Sequence, residues 1–117
     1  MTRWLAAGPA ATARLSAVEV ASALARRCRE GAFSPAERDR ALAALEVDFT
    51  ALRVVELSTP VVLEARALLV RHPLRAGDAI QLASALLLRR ELAEPVTFAV
   101  YDDRLKAAAK VEGLVVP

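Results

Sequence analysis

From Ala79 to Leu88 the chain is apolar almost without interruption, relieved only by Gln81 and Ser84. Together with its flanks, from Ala76 to Leu92, the segment is rich in the Ala and Leu that favour helices. A helix that is apolar on every face is stable only where other elements surround it. The segment is therefore deeply buried, and the rest of the chain has to be arranged to cover it.

The other segments alternate between helical periodicity and short apolar runs. Ser16 to Glu30 carries Val18, Val20, Ala21, Leu24, Ala25 and Cys28 on one helical stripe, and Gly31 ends it. Ser34-Pro35 opens a second helix reaching about Thr50, with Glu37 placed to complete a capping box. A third runs from Ser58-Thr59-Pro60 to about Val70 and closes at His72-Pro73, and a last one spans Asp102 to Glu112 before Gly113. The short runs 11–15, 52–57, 96–101 and 114–116 read as strands, and Arg3 to Ala7 reads as the tail of a helix stopped by Gly8-Pro9. Strands separated by helices, with no hairpin signal, imply right-handed crossovers and a parallel sheet coated by helices. Within 117 residues this is most simply one α/β domain, residues 1–117.

Composition excludes more than it selects. Net charge is +2 with no basic tail, so charge alone gives little support for nucleic-acid binding. One cysteine, Cys28, suits a reducing cytoplasm and reads as a packing residue. The solitary His72 leaves neither a thiol protease nor a zinc site a workable residue set, and at a helix end it reads as capping or exposed. Apolar stretches break at Arg or Glu short of the ~20 residues a membrane span needs. The start has too short an apolar run for a secretion signal, so a cytoplasmic location is expected.

Three acidic phrases fall where an extended segment hands over to a helix: Ser16-Ala17-Val18-Glu19, Arg75-Ala76-Gly77-Asp78, and Tyr101-Asp102-Asp103-Arg104. Each has an ordinary explanation. Glu19 completes a capping box with Ser16. Asp78 suits the dipole of a first turn, although that does not explain an acid entering so apolar a segment. Asp102 is a candidate N-cap, and Asp103 a solvated first-turn acid. Acids just past strand ends in open α/β sheets also lie at the edge where such folds place ligands. Converging carboxylates need a cation, and hard Mg²⁺ or Mn²⁺ ions favour oxygen donors.

Leu15-Ser16-Ala17-Val18-Glu19-Val20, the run Leu74-Arg75-Ala76-Gly77-Asp78-Ala79-Ile80-Gln81-Leu82-Ala83-Ser84-Ala85, and Phe98-Ala99-Val100-Tyr101-Asp102-Asp103-Arg104-Leu105 resemble the corresponding phrases of PIN-domain ribonucleases, particularly VapC-type toxins of toxin–antitoxin pairs. The resemblance implies a PIN-like three-layer α/β fold with a short parallel sheet flanked by helices. It also implies Glu19, Asp78 and Asp102 as catalytic and metal-holding acids for Mg²⁺ or Mn²⁺. Asp102, rather than Asp103, aligns with the family's acid. Arg75 and Arg104 lie where they could meet an RNA backbone, against the alternative of ordinary surface arginines. An RNA substrate, a cognate antitoxin and a homodimer follow from resemblance alone, and no membrane partner is implied.

The chain departs from the family's pattern at its front. PIN domains usually open with a central strand ending in an Asp that ligates the metal, and no acid precedes Glu19 here. One strand and one helix with their connections amount to roughly 20–30 residues. Without that strand, the segments near Ala11 and Val96 are expected to lack a shared neighbour, and RNA cleavage is expected to be weak or absent. The alternative is a non-catalytic PIN-derived module that pairs with a toxin or antitoxin partner. An upstream in-frame strand ending in Asp would favour the enzyme, and a nearby upstream stop codon the module.

Overall fold

The computed structural model describes residues 11–100 and 102–117. The helix tail expected from Arg3 to Ala7 lies outside the described residues, as does Tyr101. In order, the elements are β1 (Ala11–Ala13), α1 (Leu15–Arg29), α2 (Pro35–Thr50), β2 (Arg53–Val55), α3 (Thr59–Arg71), α4 (Ala76–Leu92) and α5 (Asp103–Val111). β1 and β2 pair in parallel, with Ala11 opposite Arg53 and Ala13 opposite Val55. The α1–α2 pair makes the crossover that a parallel connection requires. The result is an α/β fold with a short parallel sheet flanked by helices.

The runs 96–101 and 114–116, expected as strands, reduce to one parallel bridge between Thr97 and Val115. Phe98 N–H donates to the Val115 carbonyl at 2.7 Å, and Val115 N–H donates to the Val96 carbonyl at 3.1 Å. Geometry limits this pairing. Gly113 turns the chain at φ +91°, and only Leu114, Val115 and Val116 follow before Pro117, whose nitrogen cannot donate. Among the described residues no ladder joins this bridge to β1. Among the described residues the sheet is two-stranded.

The core lies among α3, α4, α5 and Leu114. Leu68, Leu82, Leu86 and Val61 are its largest fully buried side chains. α4 is buried as its composition requires, and the Ser84 hydroxyl satisfies itself by donating to the Ile80 carbonyl at 2.7 Å. α1 and α2 differ from expectation. Neither has a fully buried residue, and Val18 and Val20 of the expected apolar stripe are 67% and 40% exposed. Among the described residues, α1 packs on α2 and touches α4 and β1.

One capping box forms and one does not. Ser34 Oγ accepts from Glu37 N–H at 3.1 Å, while Glu37 accepts from Ser34 N–H at 3.0 Å. The box expected for Ser16 and Glu19 is absent, because α1 starts at Leu15 with Arg14 as its N-cap. Arg14 N–H continues the sheet to the Val55 carbonyl at 2.9 Å, so the chain passes directly from strand to helix. Ser16 is left inside the first turn, and Glu19 is free for another role.

The far end of α5 is clamped to α3 and α4. His72 caps α3 as expected, but its side chain is half-buried rather than exposed and meets Glu112 Oε2 at 2.7 Å. Arg71 donates two bonds to the same carboxylate at 3.1 and 3.2 Å, and Arg89 Nη1 donates to the Glu112 carbonyl at 2.9 Å. The Arg71 hydrogen bonds, then the His72 bond, hold Glu112 below the ordinary carboxylate range. A pKa lowered by folding contributes stability that is complete above the unfolded value and is lost as pH falls through the folded one. Glu112→Gln is therefore expected to flatten the acid limb of stability below about pH 5, read as the urea midpoint against pH.

Candidate metal and RNA cleft

α4 enters the site with its N-terminus uncapped. Arg75 stands at the N-cap with extended backbone (φ −78°, ψ 159°), and no side chain bonds the first turn. Asp78 is half-buried in that turn, where the helix dipole favours its charge. Asp102 is exposed and caps α5, its Oδ1 accepting from Leu105 N–H at 2.9 Å. Glu19 projects from the second turn of α1, and its Oε1 accepts a short hydrogen bond from Gln81 Nε2. Its Oε2 lies so near α4 that a Cβ added at Gly77 would stand 2.7 Å away.

These acids share one cleft of about 490 Å³, lined by Glu19, Pro73, Arg75, Gly77, Asp78, Asp102 and Arg104. Asp103 is not in its wall; it begins α5 as an exposed first-turn acid. The three acids singled out by sequence thus face a common space from α1, α4 and the entrance to α5. They do not close on a point. Among the described residues, no three His, Cys, Asp or Glu side chains are grouped closely enough to grip one metal ion.

In donor chemistry the cleft suits a hard divalent cation, since its acids offer carboxylate oxygens and its wall has no thiol or imidazole. Mg²⁺ normally takes one or two carboxylates and keeps several waters, so facing carboxylates fit it without a closed cage. Arg75 and Arg104 are exposed on the same wall, and among the described residues neither forms an ion pair. Both guanidiniums are therefore available to an anionic ligand.

A second hollow of about 580 Å³ adjoins the cleft, lined by Val20, Ala23, Leu24 and Phe33 with Arg27, Glu19 and Gln81. Glu19 belongs to both walls. Sequence reasoning missed Gly77 and Gln81, although a signal was present. Gln81 stands three residues after Asp78 on the same helical face, and Gly77 sits just inside a helix where glycine is disfavoured.

Among the described residues, no helix is long and apolar enough to cross a membrane. The PIN domain family model matches residues 1–111. The chain is 36% identical over 116 residues to ribonuclease VapC45 of Mycobacterium tuberculosis (strain CDC 1551 / Oshkosh), covering 94% of this chain and 74% of that protein. Ribonuclease VapC49 of M. tuberculosis (strain ATCC 25618 / H37Rv) matches with the same identity and coverage. With a family match across nearly its whole length, and the motif-bearing helices α1, α4 and α5 opening on one cleft, the chain belongs to the PIN-domain family.

Proposed function

We propose that the chain is a metal-dependent endoribonuclease of the VapC toxin type, weakly active as these 117 residues. The observation that carries this reading is the meeting of Glu19, Asp78 and Asp102 with Arg75 and Arg104 in one cleft. The acids would hold Mg²⁺ or Mn²⁺, which when bound supplies an activated water and stabilises developing charge on phosphate. Asp102 is fixed by its bond from Leu105 N–H, and Glu19 by Gln81. Arg75 and Arg104 orient an RNA backbone across the opening by charge-assisted hydrogen bonds to phosphate oxygens. Weak activity rests on the family's first metal-holding Asp, which has no counterpart before Glu19 in these residues.

A second reading is favoured by the open apolar hollow beside Glu19. It would accept an apolar helix face of a partner protein, such as the antitoxin that VapC kinship implies, or a second copy of the chain, with or without chemistry in the cleft. RNA cleavage with added Mg²⁺ or Mn²⁺, with and without EDTA, tests both. Slow cleavage that EDTA abolishes is expected. Robust turnover would contradict the weak activity, and no EDTA-sensitive cleavage at any protein concentration would leave the binding module.

A further inference from the structure

Glycine stands inside the first turn of α4 for a reason other than backbone geometry. Gly31 and Gly113 adopt positive φ, at +84° and +91°, where glycine is favoured, whereas Gly77 does not. A helical glycine with ordinary torsions costs stability relative to alanine. What alanine would meet at this position is specific: Glu19 Oε2 at 2.7 Å and Glu19 Cδ at 3.6 Å, then Leu15 Cδ2 in ordinary contact at 3.8 Å. The absent side chain leaves space for a carboxylate.

Gln81 lies one turn further along the same face and donates from Nε2 to Glu19 Oε1. One oxygen of the carboxylate is held by an amide, and the other rests against bare backbone. We propose that Gly77 and Gln81 form a seat that positions Glu19 at the boundary between the acidic cleft and the apolar hollow. The amide suits this role because it carries no charge. A lysine there would orient the carboxylate but neutralise it, whereas Gln81 leaves its full charge for a cation. The seat's bearing on metal binding rests on the function proposed above; its geometry does not. Both are positioning residues acting through Glu19.

Gly77→Ala and Gln81→Ala test the seat. The group displaced in Gly77→Ala is the tip of a flexible side chain, so its melting temperature is expected to equal or exceed that of the parent. Mn²⁺ affinity, read from the free-ion paramagnetic resonance signal, is expected to fall about tenfold or more in each variant. The Gln81 side-chain amide proton that bonds Glu19 is expected to move to its free position in the NMR spectrum of metal-free Gly77→Ala. An unmoved Gln81 resonance, an unchanged Mn²⁺ affinity, or a clearly lower melting temperature in Gly77→Ala would overturn the seat. If the parent binds no Mn²⁺ while the Gln81 resonance moves as expected, the seat stands and the metal-dependent function falls.

Discussion

Asp78→Asn is expected to lower Mn²⁺ affinity and EDTA-sensitive RNA cleavage by at least ~10–100-fold. That is the range over which even outer-shell partners of a metal act, and a direct ligand weighs no less. The amide keeps the shape of the carboxylate but loses its charge, which is what a hard cation binds. Folding should hardly register the change. Asp78 contributes to the first turn of α4 through the helix dipole, an effect of about 0.3–1 kcal/mol. Isothermal titration with Mn²⁺, alongside a thermal melt, separates the two effects. Loss of binding with an intact melt supports a metal-holding acid; unchanged binding leaves Asp78 as a dipole-stabilising residue only. Asp102 needs a companion control because it also caps α5. Asparagine caps as well as aspartate, so Asp102→Asn isolates the charge, whereas Asp102→Ala removes cap and charge together.

Leu82→Ala is expected to cost about 2–5 kcal/mol of stability. Leu82 is 0% exposed and sits in α4 at the middle of the core. Its removal loses transfer energy and leaves a cavity in a core shared with α3 and α5. Domains of this size are stable by only about 5–15 kcal/mol, so the variant would be substantially weakened at physiological temperature. Val18→Ala, at a residue 67% exposed, should stay within about 0.5 kcal/mol of the parent. Urea unfolding of the pair measures the contrast. Similar midpoints for both would mean that α4 is not the centre of the fold.

Where sequence and structure agree, the reason is local. α4 was legible because a ten-residue apolar run has no surface face to offer, and the Ser34 capping box because its partners are three residues apart. Glu19, Asp78 and Asp102, singled out through resemblance to a family, line one cleft, although Glu19 stands in the second turn of α1 rather than at its entrance. Failures came where a remote contact decided the outcome. Ser16 and Glu19 satisfy the capping pattern, yet Arg14 continues the sheet to Val55 and starts the helix first, and Glu19 bonds Gln81 sixty-two residues away. Val18 and Val20 fit an inward stripe, but the described elements packed on α1 leave them 67% and 40% exposed. The strand expected at 96–101 had the right composition, but among the described residues it pairs only through one bridge, from Thr97 to Val115.

No residue of α1 or α2 is fully buried, whereas α3, α4 and α5 share the core, so the two sides of the cleft are anchored differently. Asp78 stands on α4, next to the core residue Ala79, and Asp102 begins a helix whose other end is bonded to α3 and α4 through Glu112. Glu19 rides on the lightly anchored flank. One carboxylate of the cleft thus belongs to a helix outside the buried core, and the other two to helices that build that core.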